Sequence, residues 1–269
     1  MANTSYPLGM QKLLRASIDF LGDTIKAALL PSTYTFSAAH EFVAALGTRI
    51  GTDQTLTGKS VTGGVLDAAD LYFGALAPGN TVKALVVYKD TGNASTSPVL
   101  FYYDVVAGFP FATNGGALTI PWDSGVKKIA RVGLPFYPRG AQKLLSAEIN
   151  FSTDTLKVVA LPVAYVYDAG HEFLSDVGTV VGTAQTLTGK SITGGVFDAA
   201  DPNFGAIAAG PTLGSLMIYK EGGTPETSPV LLHLTAPKYV VGLPLAANGF
   251  GISHQWPNGT AKIFSLIPA

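Results

Sequence analysis

A mainly β fold, built twice, is what this sequence predicts: two homologous antiparallel β-sandwich or barrel-like domains, each with one short helix. Three observations carry the prediction. The first is a long internal repeat. Thr55 to Asp70 returns as Thr186 to Asp201 with only Val61→Ile192 and Leu66→Phe197 changed, at an offset of 131 positions. The second is punctuation: 31 glycines and 17 prolines divide the chain into short segments. The third is the content of those segments, which favours Val, Ile, Thr, Tyr and Phe, the residues that fit a pleated, half-buried surface. A repeat of this length is a duplicated domain, since solenoid units run roughly 20–50 residues. The join falls near Val132-Gly133 and divides the chain into 1–132 and 133–269. From Asn114/Asn248 and Trp122/Trp256 onward the offset becomes 134, so the second copy carries three extra residues near Ala236 to Val241.

Taken in order, Ser17 to Leu21 alternates polar and apolar residues, as does Glu148 to Phe151. Each is followed by a turn and then by Thr24 to Leu30 or Thr155 to Leu161, which predicts a hairpin early in each copy. Ser37 to Leu46 is the helix candidate. Ser37 stands at the cap, Glu41 sits in the first turn, and Phe42, Ala45 and Leu46 recur at helical spacing. Asp168 would cap the second copy's equivalent. Leu56 to Val65, with Gly58, Gly63 and Gly64, predicts two strands or one strand with a glycine bulge. Val82 to Tyr88 and Pro98 to Tyr103 are strands joined by the polar loop Lys89 to Ser97. Ala117 to Trp122 and Lys127 to Ala130, joined by the turn Asp123-Ser124-Gly125, close the copy. Seven to nine strands per repeat suit a sandwich or barrel.

Composition excludes several function classes. Charged residues make up 13% of the chain, about half of the usual ~25%. The net charge is −1 and the basic residues stand singly, so no footprint for nucleic acid is present. Without cysteine there is neither a disulfide framework nor a thiolate metal site. No uncharged apolar run reaches the ~18 residues of a membrane span, and the first residues lack the basic and apolar regions of a signal peptide. Assembly in a cytoplasm, with no membrane partner, is the expectation.

Several short motifs invite a chemical reading and fail it. Thr57-Gly58-Lys59-Ser60 ends like a phosphate loop, but the glycine required five residues before Gly58 is Asp53, and Ala184 in the second copy. His40-Glu41 and His171-Glu172 begin like a zincin helix, yet the second histidine is replaced by Ala44 and Ser175. These histidines are expected to pack. Asp67, Asp70, Asp198 and Asp201 recur but lack an oxygen-rich surround for Ca²⁺, so turn capping is expected of them. No Gly-x-Ser-x-Gly elbow is present. Trp122 and Trp256 are expected at core or edge positions, with stacking on a sugar as the alternative. No catalytic residue, metal or cofactor is expected.

A dispersed pattern completes the reading. It comprises Tyr6 to Leu14 with Ile18-Asp19 and Asp23 to Lys26, then Tyr34 to Phe42 and Leu56 to Ser60. It continues with Tyr88 to Gly92, Thr96 to Pro98, Asn114 to Gly116, Trp122, Gly125 and Lys128-Ile129. In these residues the chain resembles small virion structural proteins of tailed bacteriophages and prophages, here as a tandem duplication. The second half departs from the pattern at Phe136 to Arg139, Pro202 and Lys220 to Gly223. The resemblance implies a non-enzymatic part of the virion. Capsid decoration, cementing neighbouring major capsid subunits, is the first expectation. A tail, neck or baseplate protein, or a receptor- or glycan-binding module, is the alternative. Two linked domains gain avidity on a repetitive surface, and three such chains would present six similar domains, so a homo-trimer is one expectation. Partner contacts are expected on two polar loops, at Lys89, Asp90, Asn93 and Thr96 and at Glu221, Thr224, Glu226 and Thr227. Phe101-Tyr102-Tyr103-Asp104 against Leu232-His233-Leu234-Thr235 suggests that the two copies meet different partners.

Overall fold

The computed structural model describes residues 3–267. The first repeat runs β1 (Thr4–Ser5), α1 (Pro7–Leu14), β2 (Ile25–Pro31), β3 (Ile50–Thr55), β4 (Ser60–Thr62), β5 (Val65–Asp67), β6 (Leu71–Ala75), β7 (Thr81–Lys89), β8 (Val99–Tyr103), β9 (Phe111–Ala112), β10 (Ala117–Ile120) and β11 (Ala130–Arg131). The second runs α2 (Pro138–Leu145), β12 (Leu156–Pro162), α3 (Leu174–Val177), β13 (Val181–Thr186), β14 (Ser191–Thr193), β15 (Val196–Asp198), β16 (Asn203–Ala206), β17 (Thr212–Lys220), β18 (Val230–Thr235), β19 (Leu245–Ala246), β20 (Gly251–Ser253) and β21 (Phe264–Ser265). Every described strand pair is antiparallel. The chain is therefore mainly β, in two similar halves of sandwich character.

Each half is organised by one large sheet, of order β1-β8-β7-β2-β3 in the first and β13-β12-β17-β18 in the second. The central strands are buried on both faces. In β2, Ile25, Ala27 and Leu29 enter one core while Ala28 and Leu30 enter another. In β7, Val82, Leu85 and Val87 face the first and Ala84, Val86 and Tyr88 the second. Side chains of a strand alternate between faces, so a strand covered on both sides is apolar at consecutive positions. The outer core stays within each repeat, with Tyr6, Tyr34, Val43 and Leu46 covering the first. The inner core is shared: Met10, Leu13 and Phe20 belong to one cluster with Leu144, Phe151 and Phe264.

The repeats are held together by reciprocal contacts. The Phe20 N–H donates to the Leu145 carbonyl at 3.0 Å, and the Phe151 N–H donates to the Leu14 carbonyl at 2.8 Å. Gln142 Oε1 accepts from the Gly63 N–H at 3.3 Å, and Gln11 Oε1 accepts from the Gly194 N–H at 2.9 Å. Each helix thus docks on the β-turn of the other repeat, an exchange with approximate two-fold symmetry. That turn joins β4 to β5 through Gly63 and Gly64, at φ 56° and 80°. Two successive positive φ values make a type I′ turn, which favours glycine. A Cβ on Gly64 would also stand 2.6 Å from that of Ala141 in the opposing helix.

Several expectations are corrected. Ser37–Leu46 is not the helix. It is a turn followed by a single 3₁₀ turn at Val43–Leu46, and its counterpart α3 is one turn. The helix of each repeat lies earlier, at Pro7–Leu14 and Pro138–Leu145, with proline in its first turn. Ser17 to Leu21 forms no strand and no hairpin with β2, because Phe20 spends its backbone N–H on the other repeat. Lys127 to Ala130 does not pair with Ala117 to Trp122. β10 pairs with β6 and β11 with β5. Strands exceed the expected count because several are only two or three residues long.

Candidate functional site: an aromatic cleft in the first repeat

The recurring motifs turn out to serve one another. The Lys12 ammonium pairs with Glu41 at 2.8 Å and stands 5.0 Å from the centre of the Phe42 ring. Lys143 pairs with Glu172 at 3.1 Å and stands 5.7 Å from Phe173. His40 Nδ1 meets the Tyr34 hydroxyl at 2.8 Å, and that hydroxyl meets Tyr6 at 2.8 Å. His171, Tyr165 and Tyr137 repeat the chain at 3.0 and 2.7 Å. Burial, then the bond to its neighbour, pushes the Tyr6 and Tyr137 hydroxyls far above the usual tyrosine range, which keeps them neutral. Lys59 donates to the Leu21 and Asp23 carbonyls and Lys190 to the Asp154 carbonyl. Each lysine thus binds the turn before β2 or β12. Asp67 and Asp198 accept from the next residue's N–H, as turn caps do. Asp70 and Asp201 reach further, accepting the backbone N–H of Trp122 and Trp256 at 3.0 and 2.8 Å.

The two polar loops are closed structures. Lys89 pairs with Asp23 at 2.8 Å and Asp90 with Lys26 at 2.6 Å. The Lys26 ammonium holds the Asp90 carboxyl below its usual range, helped by the Gly92 N–H. Asn93 Oδ1 accepts from the Ser95 N–H, and Thr96 bonds Thr91 at 2.6 Å. In the second loop Glu221 pairs with Lys157. The Thr224 N–H donates to Thr227 Oγ1, which itself donates to the Gly222 carbonyl. Glu226 is exposed beside them.

A cleft lies elsewhere, where the repeats differ. It has a volume of about 1110 Å³, opens at the Tyr103 end of β8 and is lined by residues of both halves. Its walls include Leu13, Phe101, Tyr103, Ile120 and Trp122 from the first repeat and Phe136 and Leu145 from the second. None of the eight loop residues lines it. Trp122 stands 6.1 Å from Tyr103 at a steep angle, with its indole N–H bonded to the Ala69 carbonyl. Tyr103 donates to the Ile129 carbonyl, and burial raises its pKa far above the usual range. Val105 and Leu134 line the cleft while 65% and 75% exposed.

The second repeat shows why the cleft is open. At the equivalents of Ser5 and Ala130 it carries Phe136 and Phe264. Their rings lie 5.0 Å apart and pack on Phe151 and Phe197. The inserted turn delivers Val240, fully buried, into the same core. Trp256 is 5% exposed, whereas Trp122 is only partly buried. Two phenyl groups and a turn thus fill in one repeat a volume that stays open among the described residues of the other. Sequence reasoning placed the insertion, the differing β8 ends and the departure at Phe136, but it did not read Phe136 against Ser5 as a change of volume and passed over Ala130/Phe264. A small residue opposite a large one in otherwise matched repeats was the signal.

The rim of the cleft is basic. Lys127, Lys128 and Arg131 line it together with one acid, Asp123. Lys128 is 3.5 Å from Asp67, while Lys127 and Arg131 have no ion-pair partner among the described residues. The second repeat has Ala261 and Ser265 in their place. Among the described residues no group of three or more His, Asp or Glu side chains is arranged to hold a metal, and no helix is long and apolar enough to cross a membrane. No family model matches the chain, and no curated protein matches it.

Proposed function

We propose that this chain is a structural protein of a tailed-bacteriophage virion, a capsid decoration protein that binds neighbouring major capsid subunits without catalysis. The observation that supports the reading is the pairing of a reciprocally locked double repeat with an open cleft in its first half. A double repeat offers two attachment surfaces at fixed separation, which raises avidity on a repeating lattice. The sparse charge of the chain suits broad apolar and hydrogen-bonded contact. The sequence resemblance to small virion proteins points the same way. Cryo-electron microscopy of the assembled particle tests it. Density bridging capsid subunits on the outer face is the expected result. Density confined to the neck, tail or baseplate would replace cement by a tail-structural role.

One observation favours a second reading. Trp122 is partly exposed on the cleft wall beside Tyr103, an arrangement suited to stacking on a sugar. A receptor-binding module predicts that Trp122→Ala abolishes adsorption to cells while the particle remains intact. Unchanged adsorption removes it.

A further inference from the structure

We propose that the first-repeat cleft takes an extended segment of a partner protein that presents aromatic side chains next to carboxylates. The inference rests on the reading above, that the chain is a protein-binding structural part, and names the chemistry of what it binds. Two independent observations define the occupant. The space itself suits phenyl groups, because the second repeat fills its equivalent with Phe136 and Phe264, packed over Leu232 and Leu234 where the first repeat has Phe101 and Tyr103. In the first repeat Ser5 and Ala130 line the vacated volume, with Leu13 and Phe101 as its apolar walls.

The rim supplies the second half of the code. Lys127 and Arg131 are exposed and occur only in the repeat whose cleft is open. With Lys128 they outnumber Asp123, whose carboxylate is already bonded to the Gly125 N–H. A cation rim around an apolar slot steers an acidic segment and orients it, while burial of its aromatic side chains supplies affinity. Backbone groups of the short strand β1 lie at the same edge, since Ser5 pairs with Phe101 and also lines the cleft. An extended segment there has strand edges to bond.

The test uses the full chain and a synthetic peptide in which phenylalanines alternate with aspartates, titrated by calorimetry. Control peptides carry alanine for phenylalanine or lysine for aspartate. The expected result is binding of the Phe/Asp peptide, with loss of binding for both controls. The Ser5→Phe/Ala130→Phe variant installs the second repeat's own side chains, and it is expected to melt no lower than the parent and to lose at least about tenfold in affinity. Lys127→Ala with Arg131→Ser, which also copies the second repeat, is expected to weaken binding about tenfold and to flatten its dependence on salt. Failure of the parent to bind the Phe/Asp peptide overturns the proposal. So does equal binding by the plugged variant, or preference for the lysine peptide, a neutral oligosaccharide or a fatty acid.

Particle sedimentation separates this result from the virion reading. A plugged variant that co-sediments with capsids as well as the parent does removes the cleft from the capsid contact and leaves decoration standing. A parent that binds the peptide but never co-sediments keeps the cleft's chemistry and removes decoration.

Discussion

His254 sits in the core with 6% exposure, edge-on to Trp256 at 5.2 Å, and its Nε2 has no hydrogen-bond partner among the described residues. Burial holds its pKa below the usual 6.5, with Asp201 opposing in part. His233, half-buried among Tyr137, Tyr165 and Tyr167, is lowered by burial as well. A group whose folded pKa is depressed binds its proton more readily in the unfolded chain. Stability from both histidines is therefore complete above about pH 6.5 and is lost as pH falls from there toward the folded value. Thermal melts should show Tm dropping between neutral pH and pH 5. The first repeat has Ile120 in the place of His254. The His254→Ile variant should hold its Tm at neutral pH and lose part of the acid sensitivity. An unchanged pH profile would assign the effect to other groups.

Gly9 is a second residue whose identity is dictated by contact. A Cβ there would stand 2.1 Å from the Val99 carbonyl oxygen, and one on Gly140 would stand 2.6 Å from that of Val230. The missing side chain lets each helix lie directly on the last long strand of its own repeat. Gly9→Ala should cost about 1–3 kcal/mol, the usual penalty for overpacking, measured by urea denaturation. A neutral result would mean that the helix can lift without loss.

Among the elements, strands were the most legible. Ala84 to Tyr88 is an unbroken run of apolar residues ending in Val86, Val87 and Tyr88, and it became the centre of the large sheet. The helices were not legible. Pro7-Leu8-Gly9-Met10 carries a proline and a glycine within four residues; Pro7 fits the first helical position, and close packing on β8 offsets the glycine. Ser17 to Leu21 misled for the opposite reason. Its alternation is strand-like, but the backbone partner that decides its fate lies in the other repeat. The cleft was out of reach by local pattern, because Ser5, Ala130 and Val105 to Ala107, the turn that lacks the second repeat's three-residue insertion, meet only in space. The polar loops were legible as loops, yet their side chains are engaged in closing them.

The phenylalanine cluster of the second repeat is the element-scale counterpart of that cleft. Phe264 is 1% exposed and touches Phe136, Phe151 and Phe197. Phe264→Ala copies the first repeat and should cost about 3–5 kcal/mol. Denaturant titration reads the loss directly. A cost below about 1 kcal/mol would mean that the surrounding rings collapse into the space.

At the scale of the whole molecule, the inner core and the exchanged helices make the two repeats one cooperative body. Residues 1–132 expressed alone would expose Met10, Leu13 and Leu14, which pack into the shared cluster. Because the exchange is reciprocal, a second copy of the same half can occupy the vacant place. The isolated half should therefore form a homodimer, and adding 133–269 should replace it with the mixed pair. Light scattering coupled to gel filtration measures both steps. A folded monomer of 1–132 would show that the exchange is dispensable. In the intact chain a single unfolding transition is expected by calorimetry, as for one cooperative unit.

That helix exchange also bears on how the chain could change over time. In a homodimer, one gene writes every substitution into both subunits, so a mutation that empties one site empties its mate and weakens the core twice. Joining the two copies in one reading frame removes that coupling. One copy can keep its phenylalanines and hold the assembly together, while the other exchanges them for serine and alanine at no further risk to the whole. Asymmetry becomes heritable, and a chain of two matched halves can divide labour between an anchor and a hand.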